Sequence, residues 1–173
     1  MKITGQYFTS KNIKTEFVLI MNPISLTNST INEISSWLAL AREAEPLFGP
    51  MADDPDFRKG LLEAIQDGRA IAAKEEKTSD VLGGVIIDPE QNEILWLVVK
   101  QSARGRGIGQ ALLEAALERL DIRRPVRVQT YDESVPAGLP ARALYTRFGF
   151  VDLEPAGLNP AGLPTVIMQK PAF

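Results

Sequence analysis

The sequence predicts a single domain of mixed α+β class, in which about four helices flank a central, mostly antiparallel sheet of about seven strands with one parallel strand pair. Three observations support this class. The chain has 173 residues, 45% of them hydrophobic and 24% charged, which is typical of one globular domain. Stretches with the periodicity of strands and of helices alternate along it. A strand, a helix and a second strand in the latter half form a unit that predicts the parallel pair.

The first third of the chain predicts one strand and two helices. A short apolar run at 17–20 is typical of a strand. The polar residues at 25–29 are expected to cap a helix over 31–44, in which apolar residues recur at helical spacing. At 53–56 the sequence Asp-Asp-Pro-Asp provides an N-cap, a proline for the first helical position and a first-turn carboxylate. We therefore predict a second helix over 57–66.

The middle of the chain predicts a meander followed by a crossover. Strand-like runs at 70–74, 81–87 and 93–100 are separated by charged and turn-forming residues, which favours antiparallel hairpins. A mostly apolar helix is predicted over 108–120, and another strand over 126–131. Because strand–helix–strand crossovers in one sheet are right-handed and join parallel strands, the runs at 93–100 and 126–131 are expected to be parallel neighbours.

The last part of the chain predicts a helix over 141–148 and a terminal strand over 164–169. The sequence Pro-Ala-Gly-Leu occurs at 136–139, 155–158 and 160–163. Proline and glycine at this density favour turns, so all three copies are predicted to be loops.

The composition excludes several kinds of site. The chain has no cysteine and no histidine, which excludes disulfides, thiolate nucleophiles, Cys/His zinc sites and Ser-His catalysis. Any acid or base must be Asp, Glu, Tyr, Lys or a terminal amine. The net charge of −3 argues against a nucleic-acid partner. No apolar run has the length of a signal-peptide core or a membrane span, so we expect a cytoplasmic protein without a membrane partner.

A turn rich in glycine and arginine precedes the helix at 108–120. Backbone N–H groups at a helix start are unpaired, the helix dipole adds positive charge there, and glycine allows a ligand to approach the backbone closely. The turn therefore predicts a phosphate or pyrophosphate site made by Arg104, Gly105, Arg106, Gly107 and Gly109. The structural alternative is a tight strand-to-helix connection with solvated arginines.

Two common phosphate-binding motifs do not fit this turn. A P-loop requires Lys and then Ser or Thr after its glycine, whereas Gln110 and Ala111 follow Gly109. A dinucleotide fingerprint requires a third glycine where Gln110 stands, and it would lie too late in the chain to leave room for a dinucleotide fold.

The segment at 104–109, Arg-Gly-Arg-Gly-Ile-Gly, resembles the (Gln/Arg)-x-x-Gly-x-(Gly/Ala) signature of the GNAT superfamily of acyl-CoA-dependent N-acyltransferases. The segment at 144–150 looks like its second signature, Leu-Tyr-x-x-x-Gly-Phe. The two occur in the expected order, and the predicted order of elements also matches. The resemblance is best over 81–151, while residues 1–16 fall outside it as an N-terminal extension of the single domain.

The resemblance implies N-acetyl transfer from acetyl-CoA, or another acyl-CoA, to a primary amine by direct attack in a ternary complex, with no metal. The pantetheine arm would follow Leu97, Val98 and Val99, whose backbone N–H groups could also hold the developing oxyanion. The pyrophosphate would lie on the backbone of Arg104, Gly105, Arg106, Gly107, Ile108, Gly109 and Gln110.

Two residues are the predicted catalytic groups. An amine attacks only when neutral, so a base is needed, and Glu93 lies eleven residues before Arg104, the spacing of family members that use a glutamate base on this strand. The alternative is a surface residue at a turn. Tyr145, in the family's tyrosine position, is predicted to protonate the leaving CoA thiolate; the alternative is a half-buried helix tyrosine. The fallback groups for the base are Tyr131, Asp132 and Glu133.

The acceptor remains open at this stage: a small amine, an amino acid, an antibiotic or a protein N-terminus. Its cleft is expected near Trp37, Glu43, Glu45, Phe48, Met51 and Phe57. Gly138 stands where the family often has an asparagine, which puts one side-chain contact to pantetheine in doubt. A monomer or a homodimer is expected. The alternative function is a non-catalytic acyl-CoA-binding or sensor module of the same fold.

Overall fold

The computed structural model describes residues 23–173, which form one seven-stranded sheet and four α-helices. In chain order the elements are β1 (Ile24–Asn28), α1 (Ile34–Phe48), α2 (Pro55–Gln66), β2 (Ala70–Glu75), β3 (Val81–Asp88), β4 (Glu93–Val99), α3 (Ile108–Arg119), β5 (Val126–Tyr131), α4 (Leu139–Arg147), β6 (Val151–Leu158) and β7 (Pro164–Lys170). The strand order is β1-β2-β3-β4-β5-β7-β6, and β4 and β5 are its parallel pair. The predicted α+β class and the parallel pair are confirmed.

The first strand of the described residues lies where a helix cap was predicted. The strand predicted at 17–20 lies outside the described residues. Of the residues 25–29, expected to cap a helix, 25–28 instead lie in β1, which pairs antiparallel with β2 from Ile24↔Glu75 to Asn28↔Ile71. The apolar residues of β1 alternate with polar ones, and this period of two suits an edge strand with one face on the core. The N-cap residue is instead Thr30, whose backbone N–H donates to the Glu33 carboxylate over 2.9 Å.

The helices of the described segment contain between 9 and 15 residues, and none of them has the length and apolar composition required to cross a bilayer. The predicted cap of α2 is confirmed: the Asp54 side chain accepts a hydrogen bond from the Asp56 backbone N–H over 2.8 Å, and Pro55 is the first helical residue. The helix predicted over 31–44 begins as a short 3-10 turn and then continues to Phe48 as α1.

The sheet has a hydrophobic core on each face. On one face α3 buries Leu112 and Leu113 with Phe150. On the other face α1 and α2 bury Trp37 with Trp96 and other apolar residues. The glycine in β3 at position 84 makes room for the Trp37 ring, because a Cβ there would lie 2.6 Å from Cζ2. The sheet is therefore covered on both sides, and a ligand can reach it only where neighbouring strands separate.

A β-bulge in β4 causes such a separation. Ile86 of β3 pairs with Trp96, whereas Ile87 pairs with Ile94, so Leu95 is an extra residue in β4. The parallel pairing of β4 with β5 ends at Ile94, directly before the bulge. Beyond it the two strands diverge and leave a slot in the sheet, at which Leu95 is 51% exposed.

One of the predicted Pro-Ala-Gly-Leu loops is a strand. Residues 155–158 lie in β6, which contradicts the loop prediction, whereas 136–139 forms a 3-10 turn leading into α4 and 160–163 forms part of the turn before β7. β6 is the edge strand of the sheet, where proline is tolerated, and its pairing with β7 is irregular at Pro155 and Gly157.

Candidate active site

The glycine-rich turn joins β4 to α3 and presents an open helix start. Gly107 is the N-cap of α3 with φ of 78°, and Gly105 has φ of 76°, a region that favours glycine. A Cβ atom at either position would meet no other atom within 4 Å. The turn therefore exposes its backbone to an open space in front of α3, where the unpaired N–H groups and the helix dipole favour an anion.

A groove with a volume of about 540 Å³ begins at this turn and follows the end of β4. All but one of the residues predicted to bind the cofactor line it: Leu97, Val98, Val99, Arg104, Gly105, Gly107, Ile108, Gly109 and Gln110. The opposite wall is built by α1 and α4, including Leu47 and Leu144. The structure thus brings the strand end and the turn together along one groove.

The two arginines of the turn point to different places. Arg104 lines the groove, and its Nε donates a hydrogen bond to the Val99 carbonyl over 3.3 Å. Arg106, the exception among the predicted residues, instead forms an ion pair with Glu75 of β2 at 3.5 Å, and both side chains are largely buried. The Arg106 side chain therefore ties the turn to the sheet and, unlike the rest of the predicted segment, does not line the groove.

Two carboxylates of α1 accept hydrogen bonds from backbone N–H groups. Glu43 lines the groove and accepts from the N–H of Gln101, the first residue of the turn after β4. Glu45 accepts from Met51 over 3.1 Å and from Ala52 over 2.9 Å, and these two backbone donors lower the pKa of its carboxyl. No local sequence pattern could reveal the Glu43 contact, because its partner is 58 residues away.

A second cavity, here called the aromatic cavity, fills the slot between β4 and β5 and has a volume of about 300 Å³. All its lining residues within 23–173 are uncharged: Phe48, Met51, Leu95, Trp96, Leu97, Val128, Gln129, Thr130, Tyr131, Ala141, Tyr145, Asn159, Pro160 and Thr165. The groove and the aromatic cavity share four of these residues, so they meet at the point where the strands separate.

Aromatic side chains dominate the wall on the α1 side. The Phe48 ring lies 5.5 Å from the Tyr131 ring and 6.4 Å from the Trp96 ring, measured between centroids. Phe57 and Trp37, also predicted for the acceptor cleft, lie behind this wall and pack on Trp96 at 5.6 Å and 6.0 Å. Of the six residues predicted for the cleft, Phe48 and Met51 alone line the aromatic cavity.

Two buried tyrosines border the aromatic cavity. Tyr145 of α4 lines it, and burial raises the pKa of its hydroxyl above the ordinary value, with a smaller contribution from Tyr131. Tyr131, at the end of β5, is only 6% exposed and lines both the cavity and the groove. Burial raises the pKa of Tyr131 to about 12, and in the described part of the chain its hydroxyl has no hydrogen-bond partner.

The predicted carboxylate bases lie away from both cavities. Glu93 starts β4 in the closed part of the parallel pair, opposite Arg127, and is not a lining residue. Asp132 accepts hydrogen bonds from the Ser134 hydroxyl and backbone at 2.7 Å and 2.9 Å, which lower the pKa of its carboxyl. Glu133 is exposed. Of the predicted catalytic and fallback residues, the cavities bring together Tyr131 and Tyr145.

The structure explains why glycine stands at position 138, where the family often has asparagine. A Cβ atom at Gly138 would overlap the Tyr131 side chain, with a distance of 2.7 Å to the ring Cγ. The Tyr131 ring therefore occupies the space that a side chain at position 138 requires. The glycine is a packing requirement of Tyr131.

The class of the protein follows from comparison with known families. Residues 66–152 match the family model described as an acetyltransferase (GNAT) domain, so this chain belongs to the GNAT family. A curated relative is the mycothiol acetyltransferase of Beutenbergia cavernae, which is 35% identical over 132 residues; the match covers 68% of this chain and only 41% of the relative.

Solved structures confirm the fold. The PaiA N-acetyltransferase of Thermoplasma acidophilum, in complex with coenzyme A, matches with a TM-score of 0.63 and 18% identity over 86% of this chain and 99% of that one. The ribosomal-protein-alanine N-acetyltransferase of Brucella melitensis matches with a TM-score of 0.66 and 22% identity over 84% and 98% of the two chains. Arabidopsis thaliana NAA60, in complex with a bisubstrate analogue, matches with a TM-score of 0.66 and 16% identity over 86% of this chain and 98% of that one.

Proposed function

We propose that this protein is an N-acetyltransferase that moves the acetyl group of acetyl-CoA to a primary amine by direct attack in a ternary complex. The observation that carries the proposal is that the groove and the aromatic cavity meet where β4 leaves β5, with Leu97 and Tyr131 lining both. Two adjoining sites suit a donor and an acceptor held together. The names of the similar proteins support acetyl transfer, and two of the similar structures hold coenzyme A or a bisubstrate analogue.

The groove is the proposed donor site. The backbone of the turn at 104–109 would bind the pyrophosphate, because the open space at Gly105 and Gly107 admits a ligand to it, although the Arg104 N–H already donates to the Gln101 carbonyl over 3.3 Å. The pantetheine arm would lie along Leu97–Val98–Val99, the edge that β5 leaves uncovered. This placement follows the backbone chemistry of the turn and requires no metal.

The bulge supplies the proposed oxyanion donors. Register pairs between β4 and β5 end at Ile94, so backbone N–H groups of β4 beyond Leu95 that face the slot are available to a thioester carbonyl. Donors fixed in this way stabilise the charge that develops on the oxygen, and removing one such donor typically costs about 3 kcal/mol of transition-state stabilisation.

The reaction needs one proton removed and one supplied. The neutral amine nitrogen forms the new C–N bond, the C–S bond breaks, and the amine proton passes to a base. Glu93 stays the predicted base, and because it lies away from both cavities the proton would reach it through water. The CoA thiolate would take the proton of the Tyr145 hydroxyl, which burial keeps protonated at neutral pH, and Tyr145 would regain a proton from water.

Calorimetric titration tests the donor site. The purified protein is titrated with acetyl-CoA and, separately, with NAD. We expect acetyl-CoA to bind and NAD not to bind, since the turn lacks the third glycine of a dinucleotide fingerprint. Binding of NAD, or no binding of acetyl-CoA, would contradict the proposal. Release of CoA thiol with a panel of primary amines then separates an enzyme from a binding module, which would bind acetyl-CoA without turnover.

A further inference from the structure

The lining of the aromatic cavity is the basis for an inference about the chemical class of the acceptor. We propose that it binds a small primary amine attached to an aromatic or branched apolar group, and that the Tyr131 hydroxyl forms a hydrogen bond with the amine nitrogen. This inference rests on the proposed function, because it assigns the cavity next to the donor groove to the acceptor. It goes beyond that function by naming the class of acceptor and the residue that holds its reacting end.

The chemistry of the wall indicates an uncharged, apolar acceptor body. The described residues that line the cavity are neutral, and rings of Phe48, Trp96 and Tyr131 form one side of it. The carboxylates Glu43 and Glu45 on the neighbouring α1 are already bound to backbone N–H groups. If the acceptor carried a charged group besides its reacting amine, that charge would be buried in the cavity without a partner, which is strongly unfavourable.

The Tyr131 hydroxyl is the group that indicates a bound ligand. Buried polar atoms almost always have a hydrogen-bond partner, yet in the described residues this hydroxyl has none, and its residue lines the junction of the two cavities. A hydroxyl both donates and accepts, so its oxygen can accept a hydrogen bond from an amine N–H. The junction is also where an amine must lie to attack a thioester in the groove.

The tyrosine ring is held in place before any ligand binds. Gly138 lies against its Cβ and Cγ on one side, and the Phe48 ring packs 5.5 Å from it on another. A fixed hydroxyl loses little conformational freedom when it forms a hydrogen bond, which favours a positioning role for the acceptor nitrogen.

The far end of the cavity limits the size of the acceptor. The turn between β6 and β7 reaches the C-terminal end of α1, where Asn159 Nδ2 donates to the Leu47 carbonyl over 2.8 Å. Pro160 lies so close to Gly49 that a Cβ there would be 2.6 Å from Pro160 Cβ. With this end covered and a volume of about 300 Å³, the cavity suits a small amine rather than a polypeptide segment.

Equilibrium binding tests the inference independently of turnover. The protein is saturated with CoA, and 2-phenylethylamine and 1,4-diaminobutane are titrated at alkaline pH, where more of each amine is neutral while the Tyr131 hydroxyl keeps its proton. We expect 2-phenylethylamine to bind at least about tenfold more tightly, because only its body is apolar. Equal or tighter binding of 1,4-diaminobutane, or no binding of either amine, would overturn the inference.

The variant Tyr131→Phe isolates the hydroxyl because it keeps the ring. We expect it to weaken 2-phenylethylamine binding by roughly three- to tenfold, the effect of one hydrogen bond, while binding of ethylbenzene, which has no amine, is unchanged. Equal loss for both probes would indicate a packing defect, and no loss for the amine would remove Tyr131 from the site; either result overturns its assigned role. If CoA itself does not bind, the proposed function fails, and the amine titrations without CoA still decide the inference about the cavity.

Discussion

Gly107→Ala is the substitution that tests the proposed pyrophosphate site at the turn most sharply. Gly107 has φ of 78°, and a non-glycine residue in this region costs about 1–2 kcal/mol. For a domain of this size that cost lowers Tm by roughly 2–8 °C. The methyl group would also point into open space at the helix start, where the phosphate is proposed to lie. Loss of one or two charge-assisted hydrogen bonds at about 1.5 kcal/mol each would weaken acetyl-CoA binding by roughly 10- to 150-fold.

The matched control is Gly68→Ala at the end of α2. Gly68 has φ of 70°, and its added Cβ would meet only Asn28 Nδ2 at 3.9 Å, an ordinary contact. The backbone cost should therefore be similar, whereas acetyl-CoA binding should not change, because Gly68 lies outside both cavities. Thermal unfolding and titration calorimetry measure the two effects. If folded Gly107→Ala binds acetyl-CoA as tightly as Gly68→Ala does, the placement of the pyrophosphate is refuted.

Three further predictions concern catalysis, packing and pH. Tyr145→Phe should lower kcat by about 100-fold or more with little change in the Kd of acetyl-CoA; unchanged turnover would remove Tyr145 from the mechanism. Gly84→Ala should destabilise the fold by about 1–3 kcal/mol because its Cβ overlaps the Trp37 ring. When Gly84→Ala is combined with Trp37→Phe, the loss of unfolding free energy measured with denaturant should be smaller than the sum of the two single-variant losses. Strict additivity would contradict the contact. Folding lowers the pKa of Glu45, so the ionised carboxylate stabilises the fold above pH 4.5, its ordinary pKa, and this stabilisation is lost as the pH falls below that value. A Tm–pH profile of Glu45→Gln that falls as steeply in acid as the wild-type profile would contradict this.

The crossover at the site could be predicted from the sequence because its signals are local. The strand predicted over 126–131 agrees with β5, and the helix predicted from 108 begins there as α3. Glycines at a helix start and a strand–helix–strand order are properties of neighbouring residues. Half of the groove lining was predictable for the same reason, since it comes from one segment at 97–110.

Other features of the fold and of the aromatic cavity depend on contacts between distant residues. The bulge at Leu95 lies within an apolar run whose pattern does not reveal it, because apolar residues occupy both faces of β4. The formation of β1 at 24–28 depends on pairing with β2, more than forty residues later. The pairing of Gly138 with Tyr131 had a partial signal, a glycine where the family often has asparagine, but the tyrosine that fills the space is visible only in the fold.

A single-turnover transfer experiment tests the central claim most directly. Protein loaded with acetyl-CoA is mixed with a panel of primary amines that includes 2-phenylethylamine, and the protein and the amines are analysed by mass spectrometry. Direct attack in a ternary complex predicts acetylated amine in the complete mixture and no acetylated protein when the amine is omitted. Acetylated protein formed without amine that then transfers its acetyl group, or the absence of any acetylated amine while acetyl-CoA stays bound, would contradict the account.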